Sequence, residues 1–406
     1  MLRRDAGVYP LSPMQHGMLY HYLSAPHPGA DVIQFVCELR EDVDVERLRT
    51  AWHRVASRHQ PLRARFRWHG VESPTQEVLA HVELDLEVAD WRDRTPAERD
   101  QEFSDHVERD RRRGFDLTTA PATRLLLVRW TEAEWRCLWS FPHILMDGRG
   151  AHVVLSEVFD LYDNGPQYEP PAAPQYSAFL EWIGARNHTG EESYWRRLLD
   201  GITSPTPLPG DAGIGSSNGA GLAQRFVRLT SRETGRLASS AKEAGVTVSA
   251  GVHGAWALLL SRYSGADDVV FGAARACRHG TVPNAENIVG LFINTLPVRA
   301  RYAPDTSVRD WLRELRQQQI DVRAYEHTPP ADIQRWMGFG AGQLLFESII
   351  VFDRALTDGL IHAERPAWTH RTFRVYEPAP SPLTLYARDG DELELKLVYD
   401  RDRIPD

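Results

Sequence analysis

Hydrophobic and polar positions alternate clearly in three places along the chain. Residues 31–40, DVIQFVCELR, put Ile33, Phe35, Cys37 and Leu39 on one side of a period-two pattern, which predicts a half-buried strand. Residues 122–130, ATRLLLVRW, and 135–141, WRCLWSF, are strand-like runs separated by the polar TEAE and predict a hairpin. Near the end, DELELKLVYD alternates Leu393, Leu395, Leu397 and Tyr399. Helical spacing appears between these runs. Leu48, Trp52 and Val55 recur behind a capping Asp44 until RHQPL breaks the pattern at Pro61. After Gly148, Leu155, Val158, Phe159 and Tyr162 repeat at the same period. Thr247 caps a third run carrying Val252, Trp256, Leu259, Leu260 and Tyr263, which stops at Ser264-Gly265. DDVVFGAARACR and VGLFINTLPVRA supply further strands.

Two stretches break these periods. DNGPQYEPPAAP at 163–174 is too rich in proline and glycine for a regular element, and GITSPTPLPGDAGIGSSNGAG at 201–221 has few bulky apolar residues. Helices and strands mix on both sides, which favours an α/β (α+β) chain of two lobes. The expected division is an N-terminal lobe at 1–165, a connection at 166–190 and a C-terminal lobe at 191–406.

Length and charge narrow the function classes. A chain of 406 residues with 42% hydrophobic content can bury substantial cores. A net charge of -9 repels a phosphate backbone, and the one dense basic run, Arg111-Arg112-Arg113, lies beside Glu108 and Asp110 and reads as a solvated helix face. Nucleic acid is therefore not an expected partner. Cys37, Cys137 and Cys277 are odd in number and far apart, which supports neither a disulfide framework nor a thiolate zinc site and fits a reducing, cytoplasmic setting. No run approaches the roughly 20 apolar residues that span a bilayer, and MLRRDAGVYPLSP has no apolar leader segment, so no membrane partner is expected.

The chemistry concentrates in one place. WSFPHILMDG at 139–148 follows the second hairpin strand and precedes a helix, so His143 sits on a strand-to-helix loop, where an imidazole can meet a substrate near neutral pH. Read by itself, one histidine among 16 is more often a buried, satisfied one. Asp147, about one helical turn on, reads first as an anchor held by a cation or by backbone donors. No second histidine or carboxylate stands at zinc spacing, and H-E-x-x-H is absent. GFGAG at 338–342 and GIGSS at 213–217 lack the flanking strand, helix and lysine of a phosphate loop and read as turns.

The sequence resembles the condensation domains of nonribosomal peptide synthetases over nearly its whole length. YPLSPMQHGMLYHYL at 9–23 and RHQPLRARF at 58–66 are similar to the first two core motifs of that family. GFDLTTAPATRLLLVRW at 114–130, ESYWRRLLDG at 192–201, LLSRYSGADDVVFGAARACR at 259–278, VGLFINTLPVR at 289–299, YEHTPPADIQRW at 325–336 and LFESIIVFD at 345–353 follow in family order. PHILMDG resembles the H-H-x-x-x-D-G active-site motif, with His143 at the second histidine, Asp147 at the aspartate and Gly148 at the glycine.

The resemblance implies two chloramphenicol acetyltransferase-like lobes in a V-shaped pseudo-dimer with a tunnel at their junction. It implies that donor and acceptor peptidyl carrier proteins deliver substrates on 4'-phosphopantetheine, that adenylation and carrier domains are neighbours in a synthetase, and that the domain binds no cofactor of its own. His143 would hydrogen-bond the attacking amine, take its proton or stabilise the tetrahedral intermediate. Asp147 would be structural, in a bidentate pair with Arg278 from the other lobe. Met146, Arg149 and Asn294 are expected along the substrate tunnel.

Three departures stand out. Pro142 replaces the first motif histidine; it lacks an N–H and fixes its own φ, so the strand should end in a rigid step. Arg149-Gly150 stands where a bulky residue and a serine are common. The chain ends at RDRIPD, before the family's final helix, and reads as a domain cut from a longer protein. Pro142 also motivates a second reading, a silent domain that binds a carrier or recruits a partner enzyme. A third keeps the enzyme and replaces the amine with a hydroxyl, giving an ester. An epimerase is disfavoured because GAARACR lacks the acidic, glycine-rich motif of that branch.

Overall fold

The computed structural model describes residues 6–24, 29–208, 221–303, 305–340, 342–353, 365, 367–377 and 381–404. In chain order its elements begin with β1 (Gly7–Pro10), α1 (Pro13–Ser24), β2 (Val32–Leu39), α2 (Val45–Arg58), β3 (Ala64–Arg67), β4 (Thr75–Val78), β5 (Leu86–Asp90), α3 (Pro96–Arg113), β6 (Arg124–Arg129), β7 (Trp135–Pro142), α4 (Gly148–Asn164) and α5 (Tyr176–Gly184). They continue with α6 (Glu191–Leu198), β8 (Leu222–Arg228), α7 (Ser231–Ala244), α8 (Val248–Ser264), β9 (Asp268–Arg275), β10 (Asn294–Arg301), α9 (Val308–Asp321), α10 (Pro330–Trp336), β11 (Ser348–Asp353), β12 (Arg371–Tyr376), β13 (Leu383–Arg388) and β14 (Glu394–Asp400). The chain is a mixed α/β protein.

It divides into two compact units that are interleaved in sequence. The first comprises 1–186, 278–292 and 357–378, and the second 187–277, 293–356 and 379–406. The sequence reading gave each lobe one continuous stretch; contacts instead assign 278–292 and 357–378 to the first unit. The break read at 201–221 and GIGSS at 213–217 fall largely on residues outside those described.

The first unit is built on a five-stranded sheet in the order β12-β2-β7-β6-β5, with a small β1-β4-β3 sheet beside it. β2 is buried along almost its whole length rather than on one face. The reason is α3, which lies far away in sequence and covers the second face. Ile33, Phe35, Cys37 and Leu39 join the core shared with α2 and α4, whereas Val36, Leu126 and Leu138 pack with Phe103 of α3 and with Trp91 and Trp130. The predicted hairpin forms, with β6 and β7 antiparallel from Arg124↔Ser140 to Arg129↔Trp135. α2 starts as expected, the Asp44 carboxylate accepting from the Arg47 N–H at 3.0 Å. The basic run closes α3, where Glu108 binds both Arg111 and Arg112.

The second unit carries a six-stranded sheet in the order β10-β9-β11-β13-β14-β8. β14 pairs with both β13 and β8, which fixes the alternation read at its end. α8 begins at Thr247 and ends at Gly265, whose φ of 72° suits glycine. Val252, Trp256 and Leu260 face the core, but Leu259 and Tyr263, expected with them, are 50% and 68% exposed. VGLF at 289–292 is not strand; β10 starts only at Asn294. Gly338 and Gly342 of GFGAG both hold positive φ, as turns do. Among the described residues no single helix is long and apolar enough to cross a membrane.

Candidate active site

The loop 143–147 lies wholly within the first unit and is delivered by β7. β7 pairs with β2 through Val32↔Pro142, and the His143 N–H donates to the Asp31 carbonyl at 2.9 Å. Because backbone donors alternate sides along a strand, the nitrogen of residue 142 points the other way, towards β6. The pairing of β6 with β7 ends at Ser140. Proline at 142 therefore removes no ladder bond, and its carbonyl accepts from the Leu145 N–H at 3.1 Å. β7 ends at Pro142.

Asp147 caps α4 and ties together three parts of the unit. Its Oδ1 accepts from the Gly150 N–H at 2.9 Å and from Arg278 Nη2 at 2.6 Å, and its Oδ2 accepts from the Phe292 N–H at 3.0 Å. Its own N–H donates to the Gly290 carbonyl at 3.2 Å. Arg278 engages one carboxylate oxygen and not both. Its Nη1 is committed to the carbonyls of Ala285 and Ile288, at 2.6 and 2.9 Å, and its guanidinium stacks on the Phe292 ring at 4.2 Å. Nor does Arg278 come from the other lobe, since the segment 278–292 belongs to the same unit as Asp147. Both side chains are about 2% exposed, so the pair is buried. Such a pair survives because the carboxylate is fully hydrogen-bonded; removing one partner strands a charge in the interior.

Glycines permit this close packing. A Cβ at Gly150 would meet Met146 Cβ at 3.0 Å and the Gly290 nitrogen at 3.1 Å, and a Cβ at Gly290 would run into the Tyr176 ring. That explains glycine where a serine is common. The Tyr176 hydroxyl in turn donates to the Leu291 carbonyl at 2.8 Å, and burial pushes its pKa up. Gly148 is different: a Cβ there would meet nothing within 4 Å.

The other expected residues fall in different surroundings. Met146 is fully buried in the core of the unit and offers no surface to a ligand. Arg149 is neither free in solvent nor buried: its Nε donates to the Glu286 carbonyl at 3.0 Å, and it borders a cavity of about 320 Å³ together with His152, Ser156 and Arg365. Asn294 belongs to the second unit, where its amide donates to the carbonyls of Glu326 and Thr328, both at 2.9 Å, and so fixes that turn. The sequence reading missed Gly290 and Phe292, which act through backbone atoms. The signal was the segment VGLFIN itself, taken for a strand. Among the described residues no group of three or more His, Cys, Asp or Glu side chains is placed to hold a metal ion.

A family model described as "Condensation domain" matches residues 5–403. The chain belongs to the condensation domain family. Condensation domains are acyltransferases that form peptide bonds, and they share the chloramphenicol acetyltransferase-like fold. This condensation domain is 39% identical over 98% of its length to a linear gramicidin synthase of Brevibacillus parabrevis, and 31% identical over 98% to the chondramide synthase of Chondromyces crocatus. It spans only 8% and 11% of those proteins. Its fold matches the crystal structure of the starter condensation domain of rhizomide synthetase with a TM-score of 0.79 at 18% identity, covering 98% of this chain and 89% of that one.

Proposed function

We propose that this condensation domain transfers an acyl, aminoacyl or peptidyl group from a carrier-bound thioester to the amine of an acceptor on a second carrier, with His143 as the catalytic residue. The observation that carries the reading is local: the loop bearing His143 is fixed at both ends, by Pro142 and by the Asp147 knot, while the adjoining Gly148 leaves open space. The rhizomide synthetase domain was crystallised with C8-CoA and Leu-SNAC, an acyl thioester and an amino-acid thioester, which is the substrate pairing this reading requires. Both substrates here would ride on 4'-phosphopantetheine, and adenylation and carrier domains of a synthetase would be the partners.

Aminolysis of a thioester is downhill, so the work is to align two tethered reactants and move one proton. Orientation is worth about 7–11 kcal/mol in favourable cases, and a positioned base about 10²–10⁴-fold. His143 takes the amine proton as the C–N bond forms. The C–S bond then breaks and the proton passes to the departing thiolate. Asp147 and Arg278 do not touch substrate; they hold the loop. Pro142 keeps the strand end rigid without the first motif histidine, and His143 remains competent.

Loaded donor carrier, loaded acceptor carrier and the domain are incubated together, and the intact mass of the acceptor carrier is followed. A mass gain equal to the donor acyl group with an amine acceptor, lost in His143→Ala, supports the assignment. No gain with either protein variant identifies the silent carrier-binding domain, and a gain only with a hydroxyl acceptor identifies ester formation.

A further inference from the structure

The face of the sheet shared by β2 and β7 carries a row of opposed apolar pairs: Leu39 with Trp135, Cys37 with Cys137, Phe35 with Trp139 and Ile33 with Phe141. One pair further on, the same row ends in Asp31 opposite His143, joined through the His143 N–H and the Asp31 carbonyl at 2.9 Å. Directly opposed residues of an antiparallel pair project to one face with Cβ atoms about 4.5–5.5 Å apart. A carboxylate and an imidazole thus close an otherwise apolar row.

Two buried atoms at this place have no hydrogen-bond partner among the described residues, Asp31 Oδ2 and His143 Nδ1. A buried polar atom left unmet costs about 1–3 kcal/mol, and here an acceptor and a potential donor stand on opposed residues of the row without a direct side-chain hydrogen bond. Burial raises the Asp31 carboxyl above its usual range, while its own backbone N–H and the charge of the His143 ring pull it back. The turn that delivers Asp31 is fixed independently. Gly29 lies so close to the end of α3 that a Cβ would run into the Arg111 carbonyl, and its own carbonyl accepts from Val32 N–H at 3.4 Å.

We propose that Asp31 is the positioning residue for His143: its carboxylate accepts the Nδ1 proton, directly or through one bridging water, and so leaves Nε2 to receive the proton of the attacking amine. Contacts of this kind are often long in the free enzyme and tighten with substrate. Asp31 stays ionised throughout; the proton gained at Nε2 leaves with the thiolate, and the carboxylate stabilises the transient imidazolium. The inference rests on His143 being the base, but its test does not.

The ring nitrogens of His143 are observed by 15N NMR at a pH where the ring is neutral, in the wild type, Asp31→Ala and Asp31→Leu; the leucine continues the apolar row and keeps the fold if alanine does not. The wild type should show the Nδ1–H tautomer, and both variants a shift towards Nε2–H. In the carrier assay kcat should fall roughly 10- to 100-fold, part of the about 10²–10⁴ expected of the base itself, with KM little changed. An unchanged tautomer in both variants overturns the inference even if His143→Ala is inactive. A shifted tautomer with a fully active His143→Ala leaves the Asp31 contact standing and removes the proposed function instead.

Discussion

Two helices of 17 residues each, α4 in the first unit and α8 in the second, start in chemically similar ways and end up with different tasks. α8 is capped by Thr247, whose hydroxyl accepts from the Ala250 N–H at 3.1 Å, and its surroundings are closed. A Cβ at Gly254 would run into Leu312, and His253 is buried within the helix with its Nδ1 2.7 Å from the Ser249 carbonyl. Burial lowers the His253 pKa to about 4. α4 is capped by Asp147, which also holds Arg278 and the Phe292 N–H, and its first residue, Gly148, opens on empty space. The motif histidine, His143, stands in front of the helix, whereas His152 is buried inside it. An imidazole in a helix interior is spent on packing, whereas one on a loop pinned by a buried ion pair stays in place and remains partly exposed.

The sharpest way to break this comparison is to remove the two caps. Asp147→Ala strands the Arg278 charge and should cost about 3–5 kcal/mol in denaturant unfolding, together with the loss of transfer activity. Thr247→Ala loses one capping bond and should cost about 1 kcal/mol. Equal costs would mean that Asp147 is only a cap. Next in size is acid sensitivity. Burial opposes ionisation of Glu157, but His59 and Arg58 overcome it and hold the carboxyl near 2. Its contribution is present above the unfolded value of about 4.5 and lost as pH falls towards 2, roughly 3 kcal/mol in all, so Glu157→Gln should flatten stability over that window. His253, depressed from 6.5 to about 4, acts at milder pH: the unfolded chain takes up a proton first, so stability falls as pH drops from 6.5 towards 4, and His253→Leu should remove that slope. The smallest contrast is steric. Gly254→Ala should lower the melting temperature by several degrees, equivalent to about 1–3 kcal/mol of overpacking, while Gly148→Ala should leave it unchanged.

Much of this was legible in the sequence where the determinants are local. Asp44 and Thr247 announce helix starts because a short side-chain acceptor followed by a periodic apolar run has one good local solution, whereas Asp147 was legible only as an anchor. The hairpin of β6 and β7 was legible for the same reason, and the histidine loop followed from it. What failed was non-local. The second face of β2 is covered by α3, some sixty residues later, so the alternation in DVIQFVCELR gave only half of its burial. VGLF at 289–292 has strand-like composition, but the backbone of Gly290 and Phe292 answers Asp147, and strand begins only at Asn294. Arg278 meets Asp147 through one oxygen, and its geometry and its unit depend on the carbonyls of Ala285 and Ile288, which no spacing rule reveals. Met146 was read as a tunnel residue from its place in the motif, and core packing decided otherwise.

The central claim is that His143, alone of these two histidines, does chemistry. Single-turnover transfer between loaded carriers, measured for the wild type, His143→Ala and His253→Leu at neutral pH, tests it most directly. A rate reduced about 10²–10⁴-fold in His143→Ala, with His253→Leu close to wild type, is the predicted result; a His143→Ala protein that transfers at the wild-type rate would contradict the account.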